Sequence, residues 1–109
     1  MGFREERIAQ NEASARGINE QIEQAHGSLP LDSFIRIVCE CGYEKCDAFI
    51  EVTMDEYQRI RNDPRQFCVV KEHVIRDVEE AVLEADRFTI VAKREGTAAE
   101  VATRTYLRS

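Results

Sequence analysis

The sequence predicts an α+β fold, with an N-terminal helix packed on a small, mainly antiparallel sheet whose first hairpin carries a cysteine-rich tip. Three observations predict it. Apolar residues recur every seven positions through the first stretch, short β-branched runs bounded by turn residues follow, and three cysteines crowd into Cys39-Glu40-Cys41-Gly42-Tyr43-Glu44-Lys45-Cys46 between two of those runs. The 109 residues suffice for one domain with its own core, and residues 1–27 read as its helix and 28–109 as its compact α+β part.

Ile8, Ala15, Ile22 and Leu29 mark the seven-residue spacing, and Ile18 and Ala25 fill intermediate positions, so the helix carries one narrow apolar seam. The seam serves either to dock the helix on its own domain or to bind another chain. Gly27-Ser28-Leu29-Pro30 ends it, with Gly27 suited to a C-cap and Pro30 blocking continuation, while His26 reads as a partner of the helix dipole. Phe34-Ile35-Arg36-Ile37-Val38 reads as a strand running into Cys39 and Cys41, and Ala48-Phe49-Ile50-Glu51-Val52 as the returning strand. Thr53-Met54-Asp55-Glu56 has the form of a capping box and opens a short helix to about Asn62 that turns Tyr57 and Ile60 inward, before Asp63-Pro64 closes it. Phe67-Cys68-Val69-Val70 is a third strand; Val74, Val78, Val82 and Ala85 then fit helical spacing, while the later part with Phe88-Thr89-Ile90-Val91-Ala92 also fits a hairpin, and a hairpin over residues 80–93 is favoured. Thr97-Ala98-Ala99-Glu100 is a second capping box, starting a terminal helix with Val101, Ala102 and Thr105.

A formal charge of −6 argues against a nucleic-acid-binding face, which needs Lys and Arg that outweigh local acids. A protein partner is expected instead, met through the N-terminal helix or the acidic surface. No apolar run approaches the roughly 18 residues of a membrane span, and Met1-Gly2-Phe3-Arg4-Glu5-Glu6-Arg7 lacks a signal peptide's apolar stretch. Met1-Gly2 does not make a myristoylation motif, because Glu6 stands where Ser or Thr is needed. A cytoplasmic protein is expected, and in a reducing compartment four cysteines read as ligands, core residues or redox thiols. The acids Asp77, Glu79, Glu80, Glu84 and Asp86 read as a solvated face.

Soft ligands clustered this tightly point to a metal ion. Residues two apart on a strand share a face, so Cys39 and Cys41 can address one ion, and Gly42 permits a tight turn that returns Cys46. His73 or Cys68 then completes a tetrahedral site of the Cys₃His or Cys₄ kind. Alternation sets Cys68 among apolar neighbours, where a thiol behaves as a small hydrophobe, whereas His73 lies past the strand in a polar stretch. The candidate ligands are therefore Cys39, Cys41, Cys46 and His73, with Cys68 the alternative fourth, in a zinc-knuckle-like hairpin. Three thiolates and one imidazole suit Zn²⁺, held structurally in a closed shell, with Arg36 or Lys45 to offset the residual negative charge. The same cysteines also fit a thiol switch.

Asn11-Glu12 with Arg16 and Asn19-Glu20, the Cys-x-Cys-x₄-Cys loop, Ile50-Glu51-Val52-Thr53 with Glu56-Tyr57, and Phe67 with His73 together resemble a group of small bacterial proteins of unassigned activity. Those chains run through a similar cysteine loop, an I-E-L-T-x-x-E-Y segment and an F-x-V-x-P-G-H segment. The resemblance places their histidine on His73 and an aliphatic residue where this chain has Cys68, and so implies Cys₃His. Lys71-Glu72 replaces their Pro-Gly.

An enzyme is not expected. The chain has no zinc-deaminase H-x-E with P-C-x-x-C, no H-E-x-x-H, no phosphate-cradling glycine loop and no G-x-S-x-G. The expected function is a zinc-stabilised protein-interaction module, which analogy with other small zinc proteins would set as a regulator on the transcription or translation machinery. The alternatives are a redox-responsive regulator and, less favoured, a metal-dependent enzyme.

Overall fold

The computed structural model describes residues 2–43, 45–76 and 78–94. Helix α1 spans Gly2–Ala25, strands β1 and β2 span Phe34–Val38 and Phe49–Thr53, and helix α2 spans Met54–Arg61. Strand β3 (Gln66–Val69), a 3₁₀ turn (Lys71–His73) and strands β4 (Glu79–Glu84) and β5 (Thr89–Lys93) complete the α+β fold. The second capping box and the terminal helix lie outside the described residues.

The strands divide between two small antiparallel sheets. One is the β1–β2 hairpin, with Ile37 opposite Ile50 and Ile35 opposite Val52; the other has the order β3-β5-β4. In the hairpin the period of two decides the faces: Ile35, Ile37, Ile50 and Val52 are buried, while Phe34, Arg36, Phe49 and Glu51 face outward. The inward residues join Met54, Tyr57 and Ile60 of α2 and Phe67, Val69 and Val91 of the other sheet in one core.

Helix α2 starts where the capping box sets it. Thr53 Oγ1 accepts from the Glu56 N–H at 3.1 Å and the Thr53 N–H donates to Glu56 Oε1 at 2.8 Å. The loop before β1 serves the same helix end, because Ser33 and Leu31 carbonyls accept from the N–H groups of Met54 and Asp55.

The seven-residue seam is only partly the face that α1 buries: Ile8 is buried, and Ala15 and Ile22 are half-buried, Ile22 against the main core. Ile18 is 50% exposed and Ala25 and Leu29 are exposed, while the buried positions are Ile8, Ala9, Glu12, Arg16, Asn19 and Glu23. These recur at three and four residues, so the helix docks on its own domain through a stripe that is mostly polar. The stripe is workable because each group meets a partner. Arg16 donates to the Pro64 carbonyl at 2.7 Å and its guanidinium lies 4.9 Å from the Phe67 ring centre, and the Lys93 ammonium pairs with both Glu12 and Glu79. Glu79 therefore leaves the solvated acidic face expected for it: it is fully buried on Lys93, and its other oxygen accepts from the Ile75 N–H at 2.9 Å. At the end of α1, His26 Nδ1 binds the Ile22 carbonyl at 2.8 Å, and Gly27 follows without a left-handed conformation.

Candidate metal centre

The β1–β2 ladder ends at Val38, and the next two residues are held on both sides. The Cys39 N–H donates to the Ala48 carbonyl at 2.9 Å, and the Glu40 N–H crosses to the Cys68 carbonyl of the other sheet at 2.8 Å. Cys39 and Cys41 thus leave the hairpin from its tip and not from a paired strand. A turn in which the Cys46 N–H donates to the Tyr43 carbonyl then returns the third thiol. Gly42 is required here by crowding and not by its backbone angles. A Cβ there would collide with the Ile8 side chain and stand 3.2 Å from Ile75 Cδ1.

Cys39, Cys41, Cys46 and His73 bring their ligand atoms within 4.8 Å of one another. His73 Nδ1 stands 3.3 Å from Cys46 Sγ and 3.7 Å from Cys39 Sγ. A tetrahedral zinc with bonds of about 2.3 Å to sulfur and about 2.0 Å to nitrogen sets neighbouring ligand atoms about 3.6 to 3.8 Å apart, close to the two separations from His73. The 3₁₀ turn after β3, where the His73 N–H donates to the Val70 carbonyl at 2.9 Å, delivers the imidazole, and Tyr43 packs against it with ring centres 5.2 Å apart. Cys39 and Cys41 are buried, and Cys46 and His73 half-buried.

The three thiols are electrostatically unequal. Cys41 is pulled down to about 5, chiefly because the Cys39 thiol donates to it. Cys39 is pushed far up by that same bond and then by burial, and burial also raises Cys46. One sulfur carries charge readily and the other two hold their protons, so a cation bound by all three would have to displace those protons. The Val70 N–H, which donates to Cys39 Sγ at 3.3 Å, adds a fixed dipole of the right sign. Arg36 does not supply the charge. It lies on the outward face of the hairpin, with its guanidinium 5.9 Å from the Phe49 ring centre, while the cysteine side continues the inward face of Ile35 and Ile37.

Cys68 is not part of the cluster. It is fully buried in β3, and burial pushes its thiol well above the ordinary value. Its backbone has the larger role, through a residue that the sequence reading passed over. Glu40, between two candidate ligands, is fully buried, and its carboxylate accepts from four donors. Asn19 Nδ2 and the Tyr57 hydroxyl reach Oε2 at 2.9 Å each, while Arg61 at 3.1 Å and the Cys68 N–H at 2.9 Å reach Oε1. A carboxylate with every lone pair engaged ties α1, α2 and β3 to the cysteine loop. The one signal in the sequence was an acid inside Cys-x-Cys, on the face opposite both thiols.

The Cys-x-Cys-x₄-Cys loop and His73 therefore meet in space, and Asn11, Glu12, Arg16 and Asn19 line the docked side of α1. No protein-family model, curated protein or solved structure matches the chain. No helix among the described residues is long and apolar enough to cross a membrane.

Proposed function

We propose that Cys39, Cys41, Cys46 and His73 hold one Zn²⁺ in a closed shell, and that the protein is a small zinc-stabilised module for binding another protein. The convergence of three sulfurs and one ring nitrogen at ion-sized separations carries the reading. Four protein ligands leave no position for an activated water, so the ion's part is structural. It fastens the tip of the β1–β2 hairpin to the turn after β3. Surfaces remain for a partner: the outward side of α1 around Ile18, and the acids Glu80, Glu84 and Asp86.

Metal content of the purified variants tests the ligand set. Cys46→Ser and His73→Ala should lose most of the zinc, and Cys68→Ser should keep it. Full retention by His73→Ala would remove the imidazole from the site.

A redox-responsive regulator is the second reading, favoured by the partial exposure of Cys46 at a centre whose other sulfurs are buried. Zinc content after mild peroxide separates the two. A structural centre keeps its ion, whereas a sensor releases it as thiols oxidise.

A further inference from the structure

Residues 38 to 42 lie between two different neighbours. The odd positions, Cys39 and Cys41, present sulfur toward His73. The even positions are all held by α1. Asn19 Oδ1 accepts from the Val38 N–H at 2.8 Å, and its Nδ2 donates to the Val38 carbonyl at 2.8 Å and to Glu40 Oε2 at 2.9 Å. Asn11 Nδ2 donates to the Gly42 carbonyl at 2.9 Å, and Ile8 rests against Gly42 beside Ile75. The Asn19 amide thus pairs with Val38 as a neighbouring strand would, and it fits in one orientation only, since its oxygen and nitrogen are both committed.

The rest of the helix's docked face makes this grip sensitive to position. Ile8 and Ala9 are the buried apolar residues described on α1, Ile22 packs half-buried against the core, and the rest of that face is Glu12, Arg16, Asn19 and Glu23. Apolar contact tolerates a small slide, but hydrogen bonds weaken steeply as distance and angle change. An ion that fixes Cys39 and Cys41 therefore also fixes the acceptors and donors that α1 needs.

We infer that Asn19 and Asn11 are positioning residues of the metal centre, and that metal binding and docking of α1 are one coupled equilibrium. The inference rests on the zinc reading above and adds its consequence, that the helix is the element the ion controls. Linkage makes the coupling reciprocal: if the ion favours the docked helix, the docked helix tightens the ion by the same factor.

The test is competition for Zn²⁺ between a chromophoric chelator and the full chain, in conditions where circular dichroism shows every variant folded. Asn19→Ala, which touches none of the four ligands, should weaken zinc binding by about tenfold. Asn11→Ala, the milder change, should weaken it severalfold, and Ile18→Ala on the outward side of α1 should leave it unchanged. In the unaltered chain, hydrogen exchange of amides in residues 12–23 should quicken at least about tenfold when zinc is stripped, with β5 amides much less affected. Stoichiometric zinc binding with unaltered affinity in both asparagine variants would overturn the inference alone, as would unchanged protection of α1 after stripping. Failure of the unaltered chain to bind zinc would overturn both this inference and the zinc reading.

Discussion

Glu40 and Cys68 exchange two hydrogen bonds across the gap between the two sheets: the Glu40 N–H donates to the Cys68 carbonyl at 2.8 Å, and the Cys68 N–H donates to the Glu40 carboxylate at 2.9 Å. The pair is half backbone ladder and half side-chain mimic of one, and it welds the cysteine loop to β3 where neither sheet reaches.

Removing that carboxylate should be among the most destabilising single changes in the chain. Glu40 and Arg61 are both fully buried and paired at 3.1 Å, so Glu40→Ala leaves the buried guanidinium without its carboxylate and takes the acceptor from the Tyr57 hydroxyl and the Cys68 N–H. Losses on breaking such a pair run to about 3–5 kcal/mol. Urea unfolding of the variant measures it, and a loss below about 1 kcal/mol would show that the hub is dispensable.

Glu12 and Glu79 share one ammonium, Lys93, and one positive charge balances one carboxylate. Burial pushes the Glu12 carboxyl up to about 9 from 4.5, against the pull of Lys93, and among the described residues its Oε1 has no hydrogen-bond partner. The folded chain then holds a proton there that the unfolded chain has released. Stability from this group is full below about 4.5 and is lost as pH rises toward about 9, by up to ~1.4 kcal/mol per pH unit. Glu12→Gln mimics the protonated form, so its stability should decline less with pH than that of the unaltered chain. Parallel pH–stability curves would show that Glu12 is ionised when folded.

Gly17 sits inside α1, and a Cβ added there would meet nothing within 4 Å. Gly17→Ala should raise stability by about 0.5–1 kcal/mol, by restricting the unfolded chain and favouring the helix. Thermal unfolding checks it, and a lower midpoint would mean that the position is more crowded than described.

Thr53 caps α2 in both directions of its capping box. Thr53→Ala should cost about 1 kcal/mol, and Thr53→Ser much less, because the hydroxyl and not the methyl accepts from Glu56. Equal losses for the two variants in denaturant titrations would assign the effect to packing.

What the sequence made legible is what is local. The hairpin that carries the cysteines, the capping box at Thr53 and the hairpin near residues 80–93 each depend on neighbours a few positions apart, and each forms as expected. The docked face of α1 was not legible in the same way. Glu12, Arg16 and Asn19 look like solvent residues until Lys93, Pro64 and Val38 are brought to them from 81, 48 and 19 positions away. An apolar seam at a seven-residue spacing was the louder signal, yet only Ile8 of it is buried, with Ile22 half-buried against the core, and the polar stripe beside it supplies the hydrogen bonds that hold the helix. Glu79 misled for the same reason, since nothing near it in sequence announces Lys93. At the candidate centre the residue types and spacing brought forward all four members of the cluster, but the order in which Glu40 and α1 support them depends on long-range pairing.

Zinc per chain, measured by mass spectrometry on folded, fully reduced protein before and after chelation, tests the central claim most directly. The expected result is about one equivalent, with chelation lowering the unfolding midpoint by at least about 10 °C, roughly 2 kcal/mol for a domain of this size. A folded, reduced chain that carries no stoichiometric metal and whose unfolding is indifferent to chelator would contradict it.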